Sequence, residues 1–327
     1  MTVLERGWYE KRWWCYLLAP FSVLFWLLAT VRLSLFRFKL KASYRLPVPV
    51  VVVGNISVGG TGKTPFTLWF CQFLRQQGFT PGIISRGYGV KIAAPVLVSA
   101  QHSALEVGDE PLLLAERSGC PVVVSPNRVE AARYLLQQCP QVNLIISDDG
   151  LQHYALQRDI EIVLIDGQRG LGNGWLLPTG PLRELPARLK HVDLVIANSG
   201  QHELADGVMT VQAERLVPLT LPEQRLPEGA TVDIIAGIGN PQRFERSVLA
   251  AGYQIKQRRF LADHHPFSQA DFNGLTTPLL MTEKDAVKCR SFAQAGWYYL
   301  AVQAQPESAL ISKLTEKLNL LRSQYGY

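Results

Sequence analysis

Four valines, Val50-Val51-Val52-Val53, lead through Gly54 into Gly59-Gly60-Thr61-Gly62-Lys63-Thr64, and a helical pattern runs from Phe66 to Gln77. Strand, glycine-rich turn and helix in that order leave few folds open. Successive backbone N–H groups in such a turn surround phosphate oxygens, and the helix turns its positive end to the same anion. Lys63 is then placed to reach the outer phosphates and the Thr64 hydroxyl to bind Mg²⁺. The usual pattern puts glycine at position 57, where this chain has Ser57, so the loop begins atypically.

The rest of the chain repeats the theme. Strand-like runs occur at Val48 to Gly54, Pro81 to Ser85, Pro121 to Ser125, Val142 to Ser147, Glu161 to Asp166 and Val192 to Asn198, with helical patterns such as Arg128 to Gln138 between them. This alternation predicts an α/β fold, a doubly wound, mostly parallel sheet of the P-loop NTPase kind. Gly200 to Gly229 is polar and proline-containing and reads as a connection. A second series begins at Val232 to Gly237 and continues through a helix at Pro241 to Ala251, strands near Gln254 to Leu261, Leu279 to Thr282 and Trp297 to Val302, and a helix near Glu307 to Arg322. The expected division is an amino-terminal segment 1–45, a core domain 46–205 and a smaller α/β domain 206–327.

Trp13 to Val31 is nineteen residues without a charge, about the length of a bilayer-spanning helix. Residues 1 to 45 hold eight Lys/Arg against Glu5 and Glu10, a net of +6, which equals the whole-chain excess. The other 282 residues carry 25 basic and 25 acidic side chains, so the basic pI of about 9.1 points to an anionic membrane surface and not to nucleic acid. Pro20 interrupts the apolar run, and its length alone leaves crossing the bilayer, lying in one leaflet or packing in a core open. Five cysteines without C-x-x-C spacing suit a reducing compartment and give no metal site. Nothing in the sequence calls for a protein partner.

Several polar groups fall at strand ends, where open α/β sheets bind ligands. Leu144-Ile145-Ile146-Ser147-Asp148-Asp149-Gly150 is an apolar strand ending in two carboxylates, which fits either a turn or an acid presented to Mg²⁺, and Gln152-His153 follows. Gly108-Asp109-Glu110-Pro111 fits first-turn helix acids, or an acid pair of which one member accepts a proton and the other helps hold a metal. Asp263-His264-His265-Pro266 lacks a nearby Cys and is weak as a metal site; it fits equally a solvated polar loop or, as the sharper reading, a His supporting a carboxylate base across a cleft. Ser85-Arg86-Gly87-Tyr88-Gly89 sets a cation and an aromatic ring between glycines, suited to a sugar and a phosphate or simply to a tight turn, and Arg128 fits a phosphate contact or helix-surface charge.

Taken in order, Asn55-Ile56-Ser57-Val58-Gly59-Gly60-Thr61-Gly62-Lys63-Thr64-Pro65, Ser85-Arg86-Gly87-Tyr88-Gly89, Gly108-Asp109-Glu110, Asp148-Asp149-Gly150-Leu151-Gln152-His153, Pro181-Leu182-Arg183-Glu184, Asp263-His264-His265 and Thr282-Glu283-Lys284-Asp285 resemble the tetraacyldisaccharide 4'-kinase family of the lipid A pathway. The resemblance spans nearly the full length. It implies ATP and Mg²⁺ as cofactors and transfer of the γ-phosphoryl group to the 4'-hydroxyl of an acylated glucosamine disaccharide 1-phosphate, giving lipid IVA at the cytoplasmic face of the inner membrane. It further implies Asp109 as base with His264 as its partner and Lys63 stabilising the transferring charge. Thr64, Asp148 and Glu110 would hold Mg²⁺. Gly59, Gly60, Thr61, Gly62, Arg128 and Glu184 would attend the nucleotide, and Arg86, Tyr88, Asp149, Gln152 and His153 the acceptor. Two other nucleotide-binding classes fit less well. A partitioning ATPase would have its signature lysine at Val58, and a guanine-reading [NT]-K-x-D would need the lysine of Thr282-Glu283-Lys284-Asp285 one residue earlier.

Overall fold

The structure, a computed structural model, describes residues 3–221 and 225–326. A short α1 (Val3–Tyr9) and a 3₁₀ turn (Trp13–Leu18) precede the long α2 (Ala19–Arg37). The first half continues as β1 (Val50–Gly54), α3 (Lys63–Gln76), β2 (Pro81–Ser85), β3 (Val96–Leu97), α4 (Ala104–Val107), α5 (Asp109–Ser118), β4 (Val122–Val124), α6 (Arg128–Gln138), β5 (Leu144–Asp148), β6 (Ile160–Asp166) and β7 (Leu194–Asn198). The second half is β8 (Gly207–Pro218), β9 (Thr231–Ala236), α7 (Pro241–Ala250), β10 (Gln254–Phe260), β11 (Leu279–Thr282), α8 (Glu283–Cys289), β12 (Trp297–Pro306) and α9 (Ser308–Tyr325).

Among the described residues, twelve strands form one sheet in the order β10-β9-β11-β12-β8-β7-β6-β1-β5-β2-β4-β3. Among the described strands the β8/β12 and β3/β4 pairs are antiparallel and the other pairs are parallel. The valines of β1 are buried on both faces, as a central parallel strand requires. Val51 and Val53 pack with Phe66, Phe70 and Leu74 of α3, and Val50 and Val52 pack on the other face with Val129, Ala132 and Leu135 of α6. Burying each of these large side chains contributes about 1.5–3 kcal/mol, which fixes the glycine loop between two packed layers.

The stretch read as a polar connection contains β8, at twelve residues the longest strand among the described residues. Its first residues extend the parallel sheet beside β7, and Met209 to Pro218 pair with β12, so the expected boundary at 205/206 falls at the start of a strand shared by both halves. The strand escapes a hydrophobicity reading because its side chains are mostly half-exposed: Thr210, Gln212 and Glu214 alternate with apolar residues on a surface that water reaches.

Pro20 does not break the amino-terminal helix. It sits in the first turn of α2, where its missing N–H has no intrahelical partner to lose. Nor is α2 a core helix, since only Ser22 is buried while Phe21 and Leu28 are 61% and 63% exposed. A polar seam holds it to the body. Ser22 Oγ donates to Leu176 O at 2.9 Å and accepts from Thr179 N at 3.0 Å, and further along Arg32 donates to Gln152 O at 3.3 Å. The helix together with its 3₁₀ lead, Trp13–Arg37, is long and apolar enough to cross a membrane.

Candidate active site

The glycine loop is held from three sides. At its start Ser57 is extended and bridges Leu182, with Val58 N donating to Pro181 O and Arg183 N to Ile56 O. Position 57 therefore needs no glycine, because the backbone there is strand-like and braced by a neighbouring segment. At its end Gly62 has φ of 91°, and a Cβ there would lie 2.2 Å from Asn198 Nδ2. Asn198, at the end of β7, is fully buried and donates to Thr61 O at 3.0 Å. Above the loop, Arg243 of α7 reaches Gly60 O at 3.3 Å while pairing with Asp166 at 2.6 Å. Cβ atoms added at Gly59 or Gly60 would meet nothing within 4 Å, so both residues border open space.

The acids at the end of β5 divide by environment. Asp148 is buried, accepts from Ser85 Oγ at 3.3 Å, and has its carboxyl pushed up to about 7 by burial and by the negative charges of Glu110 and Asp149. Asp149 faces cations instead. Burial opposes its ionisation, but Lys63 at 3.6 Å and Arg183 at 3.0 Å outweigh it and hold the carboxyl below the usual carboxylate range. Burial, followed by the charges of Arg128, Arg86 and Arg32, pushes His153 down to about 3, so its ring is neutral. Arg128 is buried and lowered to about 10, chiefly by desolvation, and donates to Ser125 O and Asp148 O. Gln152 and Tyr154 both donate to Glu184, at 2.6 and 3.0 Å.

Residues far apart in sequence meet opposite the loop. Asp109 is the first residue of α5, entered through Gly108 at a φ of 92° that favours glycine. Its Oδ1 and Oδ2 lie 3.2 and 3.1 Å from His264 Nδ1. Desolvation raises the Asp109 carboxyl, but the His264 hydrogen bond and the charges of Lys284, His264 and Lys288 win and keep it well below the usual range. His264 itself has a φ of 59°, a left-handed conformation uncommon for a residue with a side chain, and its ring packs on Tyr88 at 4.8 Å between centroids. Two cations absent from the expected set complete the group: Lys284 lies 3.0 Å from Glu110 Oε1, and Lys288 lies 3.6 Å from Asp109 Oδ2. Burial works against the Lys284 charge, yet Glu110, Asp109 and Asp263 hold it well above the usual lysine range.

One cavity of about 1030 Å³ is lined by every residue expected from the sequence, from Phe25, Leu28 and Arg32 of α2, past the glycine loop, to Ile238, Arg243 and Phe244. Sequence reading missed Asn198, Arg243, Lys284 and Lys288, and quoted Arg183 without a role. Lys284 had a signal, since it sits inside one of the quoted motifs; Asn198 and Arg243 had none, because their function is contact with a backbone that only folding brings near. Among the described residues no three His, Cys, Asp or Glu side chains converge closely enough to hold a metal unaided. The donors Thr64, Asp148 and Glu110 are hard oxygens suited to Mg²⁺; the Asp148 carboxyl is raised first by burial and then by the charges of Glu110 and Asp149, which a cation would offset.

The chain matches the family model described as tetraacyldisaccharide-1-P 4'-kinase, LpxK, over residues 14–319. It is 49% identical over 324 residues to a protein named tetraacyldisaccharide 4'-kinase from Idiomarina loihiensis, covering 97% of this chain and 98% of that one. It is 48% identical over 327 residues to the protein of that name from Tolumonas auensis, covering 99% and 100%. Among solved structures it is similar to the "apo" form of LpxK from Aquifex aeolicus in complex with ATP, with a TM-score of 0.77, 27% identity, and 96% of this chain and 99% of that one covered. With the glycine loop, the paired acids and the Asp109–His264 contact in one cavity, this chain belongs to the tetraacyldisaccharide-1-P 4'-kinase family.

Proposed function

We propose that this chain transfers the γ-phosphoryl group of ATP to the 4'-hydroxyl of an acylated glucosamine disaccharide 1-phosphate. The observation that carries this reading is the Asp109–His264 pair facing the phosphate loop inside a cavity that continues to the apolar α2. Phosphoryl transfer asks a protein mainly for alignment and charge neutralisation. Backbone N–H groups at Gly59, Gly60, Thr61 and Gly62 would cradle the phosphates, with Lys63 on the transferring group. Asp109, kept ionised at neutral pH, would accept the proton of the attacking hydroxyl while His264 orients it. Thr64, Asp148 and Glu110 would hold Mg²⁺, which when bound would supply positive charge to the transferring phosphate.

Arg128, bonded to two carbonyls, would add its charge behind the phosphates and keep Asp148 in place. Arg86, Tyr88, Asp149, Gln152 and His153 would receive the acceptor headgroup. Glu184, expected beside the nucleotide, hydrogen-bonds Gln152 and Tyr154, and that contact supports reading it with the acceptor residues. Residues 46–205 would then supply the phosphate loop and metal acids, and residues 206–327 would bring His264 to them.

Residues 1–45 would anchor the enzyme at the cytoplasmic face of the inner membrane. The seam from Ser22 to Arg32 runs along the body for about 15 Å at 1.5 Å per residue, so a crossing α2 would drag polar protein into the bilayer. Lying in one leaflet satisfies both faces of the helix. The test is transfer of labelled γ-phosphate from ATP to detergent-dispersed acceptor, with Mg²⁺ present or chelated. Mg²⁺-dependent label in the lipid supports the reading; ATP hydrolysis with no labelled lipid refutes it.

A further inference from the structure

The four residues of Thr282-Glu283-Lys284-Asp285 leave α8 in different directions. Thr282 accepts from Asp285 N and caps the helix, Glu283 pairs with Arg117, and Asp285 accepts from Gly237 N at 2.9 Å. Lys284 turns into the cavity. Its Nζ lies 3.0 Å from Glu110 Oε1, 3.1 Å from His264 Nε2 and 3.5 Å from Asp263 Oδ1.

An ammonium has three donors and no acceptor. His264 Nε2, facing that ammonium, must therefore be the accepting nitrogen, and the ring proton sits on Nδ1, where Asp109 accepts it. The other contacts of His264 do not settle this choice. Its backbone N–H donates to Gly237 O at 3.2 Å and to Asp263 Oδ1 at 3.1 Å, and Tyr88 covers one face of the ring; Asp263 Oδ1 lies 3.9 Å from Nε2, beyond hydrogen-bond reach, so none of these selects the protonated nitrogen. Lys288 is not equivalent, because its Nζ bonds His265 O and pairs with Asp285 besides facing Asp109.

We propose that Lys284 is a positioning residue for phosphoryl transfer: by occupying Nε2 it locks His264 as the Nδ1–H tautomer, which holds the Asp109 carboxylate in the orientation of a base. This rests on the reading of Asp109 as the base. Without Lys284 the neutral ring is free to carry its proton on Nε2, which leaves two lone-pair groups, Nδ1 and the carboxylate, facing each other. The second half of the chain thus sets the chemistry of an acid that belongs to the first.

The experiment uses the full chain in detergent with K284M, K284R and D109A. It reads kcat and KM for both substrates, and the tautomer of His264 from long-range proton–nitrogen spectra of histidine-labelled protein, with H264Q assigning the resonance. K284M is expected to lower kcat about 30-fold, a fraction of the full effect of a general base, with KM for ATP within about threefold. Its His264 spectrum should gain the Nε2–H form, and K284R should restore both the Nδ1–H form and most of the turnover. A K284M protein with kcat near the parent's, or with His264 still wholly Nδ1–H, overturns the proposal while an inert D109A leaves the base reading standing. Normal turnover in D109A sinks the base reading and the proposal together. Should K284M fold poorly, K284M/E110Q removes the carboxylate left unpaired, and there the spectrum alone decides.

Discussion

Gly62 and Asn198 form a lock whose strength is open to a direct measurement. In Gly62→Ala the new Cβ would sit 2.2 Å from Asn198 Nδ2 and 3.1 Å from Met209 Cε, and neither neighbour has space to yield because both are fully buried. The left-handed φ of 91° costs an L-residue about 1–2 kcal/mol. Displacing Asn198 from Thr61 O adds about 1–3 kcal/mol for a buried amide left without its partner. At 1.4 kcal/mol per decade, a total near 3 kcal/mol is about a 100-fold loss of loop in its binding shape, read as weaker ATP affinity by calorimetric titration. Asn198→Ala alone loses one hydrogen bond and should weaken ATP about fivefold. In that background the 2.2 Å clash with Asn198 is gone and the φ strain with the milder Met209 contact remains, so adding Gly62→Ala should cost about tenfold and not a hundredfold. Equal losses from Gly62→Ala in both backgrounds would refute the lock, as would a Gly62→Ala protein that binds ATP normally.

Asp148 is a carboxyl whose folded value is raised to about 7, so the unfolded chain ionises first and stability falls as pH rises from about 4 to 7. Asp148→Asn should therefore raise the nucleotide-free Tm at pH 8, leave it nearly unchanged at pH 4, and abolish phosphoryl transfer; equal Tm changes at both pH values would contradict the assigned cause. Ser57→Gly restores the usual glycine of such loops, yet position 57 is an extended bridge to Leu182, so the substitution should destabilise by about 0.5–1 kcal/mol without improving ATP affinity, as a denaturant melt and a titration would show. Ser22→Val leaves Thr179 N and Leu176 O facing a methyl group and should loosen α2 by about 1–3 kcal/mol, detected as faster proteolysis near residues 37–45; unchanged proteolysis would mean that the seam does not hold the helix.

Much of this protein was legible in one dimension, because its information is local. Val50 to Thr64 specifies a buried parallel strand, a turn whose N–H groups converge and a helix start, and no distant residue is needed to read it. The uncharged run likewise marks, by composition alone, a helix long and apolar enough to cross a membrane. Beyond these, the ordered motifs carried the family and the expected site residues, all of which line one cavity.

Other features exist only after folding, since they are matches between segments that sequence distance hides. β8 is a strand because β7 and β12 offer it edges, not because its own half-exposed residues demand one. Ser57 is acceptable because Leu182 lies beside it, and Gly62 is obligatory because Asn198 does, a residue 136 positions away. Asp109 and His264, which the family resemblance named as base and partner, meet only because folding brings the segment after β10 to the start of α5, and the packing of α5 against α8 delivers Lys284 and Lys288 to the same carboxylate. The chain by itself determined which chemical groups are present and which local shapes they take. The tertiary structure decided their charges and hydrogen-bond partners, because burial and neighbouring charge are set by what lies a few ångströms away in space.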